Sequence, residues 1–254
     1  MKYLYLLLIL FLFSCNQQPE QEENWIKLFN GENLENWTPK FNHSELGLNY
    51  KNTFQVRNSL LVVDYSEYDS IGDEFGHLFY KESFSNYKIR VEYRFVGEQV
   101  PGGPGWAQRN NGVMFHCQSP ESMETDQPFP VSIEGQLLGG FGEGERPTGN
   151  VCTPGTHIEI ENKLITQHCI NSKSKTFHGD QWVVFEAVVY HDSIIHHIVN
   201  GDTVMTYSKP VIGGDLPESY REYEGLALTE GYISLQAESA PTEFRKVELL
   251  ELNK

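Results

Sequence analysis

Residues 87–95 alternate between apolar or aromatic and charged side chains, in the order Tyr87-Lys88-Ile89-Arg90-Val91-Glu92-Tyr93-Arg94-Phe95. Because successive side chains of a β-strand point to opposite faces, this period of two predicts a strand. One of its faces would lie in the core, and the other would face solvent or a polar cleft. No long stretch of the sequence has the 3.6-residue period of a helix. The segment and its context therefore predict an all-β fold.

Short strand patterns recur along the chain, separated by glycine and proline. The clearest hairpin turns at Asn200-Gly201, a pair that tolerates the positive φ angles of a type I′ turn. A further hairpin is predicted at 156–167, with a turn at Glu161-Asn162, and two short strands are predicted at 54–63, with a break at Asn58-Ser59. Other strands are predicted at 112–118, 182–190, 231–237 and 244–252. Many short strands of this kind are typical of a sandwich or barrel.

Length and charge restrict the function classes. Residues 25–254 are long enough for a single all-β domain with its own core. The formal net charge of −16 opposes binding to nucleic acid or to anionic membrane surfaces. No glycine-rich phosphate loop joins a strand to a helix, so nucleotide binding is not expected. A neutral, hydroxyl-rich ligand such as a sugar is compatible with this charge and with the aromatic content of 13%.

The first 14 residues predict a lipoprotein signal peptide. The apolar run after Lys2 is shorter than the roughly 20 residues that span a bilayer. It ends in Leu12-Phe13-Ser14-Cys15, which resembles the lipobox of bacterial lipoproteins. The resemblance implies cleavage before Cys15 and its lipidation, and a plain signal peptide is the alternative. Residues 15–24 would form a flexible tether, and we expect a lipid-anchored protein of the cell envelope, in the outer membrane or facing the periplasm.

Three further cysteines lie in the mature chain, where the compartment is oxidising. Cys152 and Cys169 flank a predicted hairpin and could meet at its base, so we expect a disulfide between them. Cys117 lies in a predicted strand, where it could remain a buried free thiol. The sequence alone does not fix the connectivity, and no pair has metal-finger spacing.

The strand at 131–138 carries the main candidate for chemistry. Its alternation places Glu134 and Gln136 on one face and apolar side chains on the other. A carboxyl group in the middle of a sheet is either paired, for example with Arg90 or Arg94, or held ready for chemistry.

Two long glycine-rich loops flank the strands with polar faces, at 97–111 and 138–154. Loops of this length often carry function, although a plain connection is the alternative. Trp106 could stack on a sugar ring or could cover the edge of the core. Arg109 could stabilise a developing negative charge or could be a solvated loop residue.

Several segments occur together in a recognisable order. They are Trp25–Gly31, Leu34, Trp37, Asn111–Val113, Ile133–Gln136, Ile198–Gly201, Gly231–Gln236 and Glu243–Val247. In this order they resemble the 3-keto-disaccharide hydrolase domain family over nearly the whole mature chain. The resemblance implies a jelly-roll β-sandwich of the concanavalin A-like lectin and glucanase type. It also implies cleavage of glycosides that carry a ketone at C3.

The expected chemistry follows from that ketone. Glucanases of the same overall fold use a Glu-x-Asp-x-x-Glu strand, but the matching positions here are Glu134, Gln136 and Gly139. Two-carboxylate hydrolysis is therefore not expected on this strand. A C3 ketone acidifies the hydrogen on C2, so one base can start a β-elimination at C1, and water then adds. Glu134 is the candidate base, and His116 is the candidate acid or second base.

Other polar residues are candidates for supporting roles. Substrate contacts are expected from Gln136, Arg109, Asn111 and Trp106, and each could instead be structural. A divalent metal ion could stabilise an enolate, and His157 and Glu159, two residues apart, are weak candidates for its ligands. Two other interpretations remain open: a noncatalytic carbohydrate-binding protein, and an assembly lipoprotein that binds a partner chain.

Overall fold

Two antiparallel β-sheets lie face to face in the computed structural model, which describes residues 23–253. The predicted signal peptide and Cys15 lie outside these residues. The strands up to the middle of the chain are β1 (Ile26–Lys27), β2 (Trp37–Phe41), β3 (Phe54–Arg57), β4 (Leu60–Val63), β5 (Gly76–Phe84), β6 (Asn86–Phe95), β7 (Asn110–Cys117), β8 (Ile133–Leu138) and β9 (Asn150–Cys152).

The second half of the chain contributes the other strands and most of the larger sheet. These strands are β10 (Thr156–Ile160), β11 (Lys163–Ile165), β12 (Cys169–Ile170), β13 (Val183–Tyr190), β14 (Ile194–Val199), β15 (Asp202–Ile212), β16 (Gly231–Ala237) and β17 (Thr242–Glu251). Short 3-10 helices lie in the connections, at η1 (Tyr50–Asn52), η2 (Gly105–Ala107), η3 (Pro120–Ser122) and η4 (Glu218–Tyr223). Within residues 23–253, no helix has the length and apolar character needed to cross a bilayer.

The strands that carry the predicted catalytic residues, β7 and β8, lie in the smaller sheet. The seven-stranded sheet has the order β12-β9-β8-β7-β16-β5-β2. The ten-stranded sheet has the order β11-β10-β15-β14-β13-β6-β17-β4-β3, with β1 paired to β17. The predicted all-β jelly-roll sandwich is confirmed, and its strands cross repeatedly between the two sheets.

The core lies between the sheets and follows the alternation seen in the sequence. Tyr87, Ile89 and Val91 of β6 are fully buried, while the charged residues between them lie on the other face. On β8, Gly135 faces inward, because a Cβ atom there would lie 2.3 Å from the ring of Phe185 in the opposite sheet. The neighbouring Glu134 consequently points away from the ten-stranded sheet. This face is called the outer face of the seven-stranded sheet below.

The two predicted hairpins are confirmed at their turns, and the predicted break at Asn58-Ser59 is the turn of a third hairpin, formed by β3 and β4. Positive φ angles occur at Asn58-Ser59, Glu161-Asn162 and Asn200-Gly201, as type I′ turns require. The sequence did not predict β2 or β5. The first five residues of β5 are all buried, so this strand has no alternation of apolar and polar residues to detect.

Candidate active site

Strand pairing gathers polar side chains on the outer face of the seven-stranded sheet. Glu134 of β8 lies opposite Met114 of β7 and Cys152 of β9, and Gln136 lies opposite Gly112 and Asn150. Residues that lie directly opposite in antiparallel strands share a face. Asn150 Nδ2 donates a hydrogen bond to Gln136 Oε1 at 3.0 Å. The predicted common face of Glu134 and Gln136 is therefore present.

The strand β16 adds a second polar row beside the first. Ser234 lies opposite Met114, and Gln236 lies opposite His77 of β5, so both share the face of Glu134. Glu238 follows the end of β16 at the same period of two, and its charge interacts with that of Glu134. We call Glu134, Gln136, Gln236, Glu238, His77 and Asn110 the polar face.

Gly112 creates the space in which the two rows meet. A Cβ atom at this position would lie 2.6 Å from Glu134 Oε1 and 2.9 Å from Gln236 Oε1. Heavy atoms do not approach this closely without a displacement, so any larger residue would push the carboxyl or the amide group away. The glycine thus brings the Glu134 carboxyl next to the Gln236 amide.

Glu134 is buried without a cationic partner among the described residues. It is 6% exposed, and burial raises the pKa of its carboxyl to about 8. The alternative pairings with Arg90 and Arg94 are absent. Arg90 pairs with Glu186 and Glu248, and Arg94 pairs with Glu243, all on the exposed face of the ten-stranded sheet. The carboxyl is therefore free to act as an acid or a base.

Glu238 is a second buried carboxyl on this face, and sequence reasoning missed it. Burial raises its pKa well above the usual value, and the negative charge of Glu134 raises it further. The signal was present in the sequence, because Ser234, Gln236 and Glu238 are polar residues at every second position, as are Ser132, Glu134 and Gln136. The two carboxyl groups titrate as an interacting pair.

Several buried polar atoms of this face have no protein partner within the described residues. They are His77 Nε2, Asn110 Oδ1, Gln236 Oε1, Gln236 Nε2 and Glu238 Oε2. Burial, followed by the charge of Lys40, lowers the pKa of His77 to about 3, so its ring is neutral. Buried polar groups are nearly always hydrogen-bonded, so this concentration of unpaired donors and acceptors makes the polar face the candidate site.

Aromatic rings connect the polar face to the surface. Phe129 contacts His77 edge-to-face, with ring centroids 5.9 Å apart, and stacks on Phe75 at 5.4 Å. Trp106 lies 5.9 Å from Phe75 and is 53% exposed. The ring of Trp106 thus forms an exposed rim beside the site, where a sugar ring could stack.

The prediction for His116 needs correction. Its strand neighbours that of Glu134, as the prediction required, but His116 has a φ of 52° and the pairing of β7 with β16 shifts register nearby. Such a bulge turns a side chain away from its expected direction. The ring contacts Tyr87 at 5.7 Å in the core, and Nε2 lies 3.2 Å from the His191 carbonyl oxygen. His116 is therefore not placed to exchange protons at Glu134.

Asn111 and Arg109 are likewise held by structural contacts. Asn111 is fully buried, and its Nδ2 donates to the carbonyl of Gln236 at 2.8 Å, so it joins strands and does not face a ligand. Arg109 donates to Asp180 Oδ1 at 3.1 Å and to the Gly179 carbonyl. Its contacts do not include Glu134, and the predicted role in stabilising an enolate has no geometric support.

Arg146 is a supporting residue that the sequence did not reveal. Its Nη1 donates to the carbonyl oxygens of Gly139 and Arg109, at 2.7 and 3.0 Å, and its Nη2 donates to that of Trp106 at 3.4 Å. Burial, followed by the charge of Arg109, lowers its pKa to about 10. Arg146 thus ties the two predicted glycine-rich loops together beneath Trp106.

The weak metal candidates do not form a common site. Glu159 pairs with Lys209 at 2.7 Å, and the pairing of β10 with β15 shifts register between His157 and Glu159. Within residues 23–253, no group of three or more His, Cys, Asp or Glu side chains is arranged to hold a metal ion. His157 lies instead against Gly213 and Gly214, where it lines a cavity.

A disulfide lies next to Glu134 in the sheet. Cys152 and Cys169 are bonded and lie opposite each other in β9 and β12, and Cys152 also lies opposite Glu134. The bond ties the short edge strand β12 to the sheet. Cys117 is a buried free thiol, and burial raises its pKa to about 12.

Comparisons with known proteins agree with this architecture. The model of the 3-keto-alpha-glucoside-1,2-lyase-like domain family matches residues 24–250. A protein from Parabacteroides distasonis, provisionally described as a glycosyl hydrolase, is 19% identical, with a TM-score of 0.53 over 90% of this chain and 99% of its own. A second such protein from that organism is 17% identical, with a TM-score of 0.51 over 90% and 84%.

A more distant structure has the same fold. The exoplasmic domain of VIP36 in its Ca²⁺-bound form is 9% identical, with a TM-score of 0.50 over 90% of each chain. No curated protein matches the sequence. At these identities the solved structures support the fold alone, whereas the family match supports a carbohydrate-related function.

Proposed function

The chain belongs to the 3-keto-alpha-glucoside-1,2-lyase-like domain family, and from this premise we propose that it cleaves glycosides whose sugar ring carries a ketone at C3. The observation that carries the proposal is the Glu134 carboxyl, which is buried, lacks a cationic partner among the described residues and acts electrostatically on a second buried carboxyl, that of Glu238. A buried carboxyl group without a cationic partner lowers the stability of the fold. Carboxyl groups with pKa values perturbed in this way are typical of proton-transfer sites.

The reaction begins at the carbon next to the ketone. The Glu134 carboxylate takes the proton from C2, and the electrons of the C–H bond form the enolate and then the C1–C2 double bond. The C1–O bond breaks, and the departing oxygen takes a proton from Glu238, which releases an alcohol. Water then adds its oxygen to C1 and gives a proton to Glu238, while Glu134 returns its proton to C2.

The environment of the pair suits these roles. A carboxylate whose pKa is raised to about 8 is a stronger base than an exposed one, and its pKa lies close to neutral pH. Burial and then the negative charge of Glu134 raise the pKa of Glu238, so ionisation of Glu134 favours a protonated Glu238 that can act as the acid. The Gln236 amide and neutral His77 offer unpaired hydrogen-bonding atoms for the enolate oxygen or for ring hydroxyl groups.

Ordinary glycoside hydrolysis is less compatible with this site, although two carboxyl groups are present. A retaining enzyme needs one ionised carboxylate to attack C1, or to stabilise positive charge there, at neutral pH. Here both pKa values are raised, and no cation among the described residues holds either group ionised. Abstraction of an acidified proton requires only the fraction of Glu134 that is ionised.

The test compares matched substrates and variants. The soluble domain is incubated with a glycoside and with the same glycoside oxidised at C3, and release of the alcohol is measured. We expect turnover of the oxidised glycoside alone. Glu134→Gln should lower kcat about 10²- to 10⁴-fold, the usual contribution of a general base, while binding persists. Glu143→Gln, an exposed loop variant, is the control and should keep wild-type turnover.

Other results would redirect the proposal. Equal cleavage of the unoxidised glycoside would indicate an ordinary glycosidase. Binding of both sugars without turnover of either would indicate the noncatalytic carbohydrate-binding alternative.

A further inference from the structure

A cavity of about 640 Å³ lies near the start of β8, against the loop that precedes this strand. Its wall includes Asp126 and Phe129 from the loop before β8, and His157 at the start of β10. Thr166 and His168, between β11 and β12, close another side. Pockets of roughly 300–1,000 Å³ are the usual size for binding a small organic molecule.

The cavity adjoins the row of Glu134. Cys152 lies opposite Glu134, and the next residue, Thr153, lines the cavity. One strand residue advances the chain by only about 3.3 Å. The carbonyl of Pro154, another lining residue, accepts a hydrogen bond at 3.0 Å from the backbone N–H of Ser132, two residues before Glu134. The wall of the cavity is thus fixed to the strand that carries the candidate base.

Phe129 connects the cavity to the polar face. It lines the cavity, and its ring contacts His77 at 5.9 Å, on the strand next to Gln236. A ligand that occupies the polar face and extends past Phe129 would therefore enter the cavity. The side chain also offers an aromatic surface to a ring placed there.

The lining favours a neutral ligand with several hydroxyl groups. Asp126 and Asp215 are exposed carboxylates that accept hydrogen bonds, and Thr166 and His168 add further polar groups. His157 Nδ1 is buried and has no partner within the described chain. Among the described lining residues there is no Lys or Arg, so the electrostatics oppose an anionic group.

We propose that this cavity holds the leaving group of the substrate, a second and neutral pyranose ring attached through oxygen to C1 of the oxidised ring. The inference rests on the proposed function and adds the position of the second ring. The oxidised ring lies on the polar face at Glu134, and the leaving ring extends past Phe129. When the C1–O bond breaks, this ring departs as the alcohol.

The test uses a variant in which a bulky side chain fills the cavity while Glu134 is unchanged. Thr166→Trp adds a large side chain at an exposed lining position, so folding is expected to persist. Gln167→Trp is the matched control, because this exposed neighbour does not line the cavity. Each variant and the wild type are assayed with a 3-keto-disaccharide and with the methyl glycoside of the same oxidised ring.

We expect Thr166→Trp to lower kcat/KM at least tenfold for the disaccharide and less than twofold for the methyl glycoside. Gln167→Trp should change neither value by more than about twofold. Equal loss on both substrates, or no loss on either, would overturn the assignment of the cavity while leaving the proposed function intact. Absence of wild-type turnover on both substrates would instead reject the proposed function, and this inference with it.

Discussion

Glu134 and Glu238 stand on one face of the seven-stranded sheet, both nearly inaccessible to solvent, and the negative charge of Glu134 raises the pKa of Glu238. The two groups reach this arrangement from different strands, β8 and the end of β16, on either side of β7. Because their charges repel in a poorly solvated site, they do not ionise together near neutral pH. One ionised and one protonated carboxyl group is the combination that the proposed elimination requires.

The rate of cleavage should rise with pH as Glu134 ionises. Since burial raises its pKa to about 8, kcat/KM for a 3-keto-glycoside should increase about tenfold per pH unit below pH 8 and level off above it. The measurement is a profile of kcat/KM from pH 5 to 9. Glu238→Gln should lower the plateau but keep the rising limb, because Glu238 stays protonated while Glu134 ionises. A rate that is flat from pH 5 to 8 would exclude Glu134 as the base.

The same carboxyl should make the fold less stable as pH rises. The carboxyl has a pKa of 4.5 in an unperturbed chain and about 8 in the fold, so the protonated form favours the folded state. Below pH 4.5 this contribution is fully present, and it is lost as pH rises to 8, at up to about 1.4 kcal/mol per unit. Relative to wild type, Glu134→Gln should therefore gain stability, of the order of a few kcal/mol, between pH 4.5 and 8.

Thermal unfolding at several pH values measures this gain. Glu143→Gln, on an exposed loop, is the control and should follow the wild type at each pH. A difference between Glu134→Gln and wild type that does not change with pH would show that Glu134 is solvated in the fold.

Much of the site followed from the period of two in β8. The direction of Glu134, its shared face with Gln136 and the turns of the two predicted hairpins all depend on local geometry that the sequence records directly. The local sequence does not show which strands pair when they are distant along the chain. The presence of Glu238 on the same sheet face as Glu134 needs β16 to lie next to β7, a relationship that alternation within one strand does not specify.

The errors at His116 and Asn111 have distinct physical causes. Met114 and His116 are two residues apart and should share a face, but the positive φ of His116 interrupts the alternation and turns the ring into the core. Asn111 lies at a strand end where it satisfies the backbone of β16, a demand created only by the tertiary fold. Neither a bulge nor a buried backbone partner can be detected from the alternation of apolar and polar residues alone.

Trp106 should contribute to binding rather than to the chemical step. Its ring is half exposed at the rim of the site, so Trp106→Ala should raise KM about tenfold with little change in kcat, by loss of stacking on a sugar ring. Tyr190→Ala, which removes a 41% exposed ring at the end of β13, is the control and should leave both constants unchanged. A fall in kcat at constant KM would instead place Trp106 in contact with the reacting atoms.

The sequence predicts that Cys15 anchors the protein through lipid. Cys15→Ala should block lipidation and shift the full-length protein from the membrane fraction to the soluble fraction of the envelope, since the lipid is the predicted attachment. Fractionation with labelling by a fatty-acid analogue measures both effects. Cys117→Ala is the control, because that thiol is buried in the sheet, and it should stay lipidated. Membrane association of Cys15→Ala equal to wild type would contradict the anchor.

Gly112 should be important to activity although it has no reactive side chain. Gly112→Ala places a methyl group 2.6 Å from Glu134 Oε1, and the carboxyl must move. Effects of this kind on a catalytic group commonly cost about 10²-fold, so we expect kcat to fall by that order while the purified variant remains folded. Gly105→Ala is the matched control, because a Cβ there meets nothing within 4 Å and its φ is ordinary. If Gly112→Ala keeps wild-type kcat, the position of the Glu134 carboxyl beside Gln236 is not the one used in the reaction.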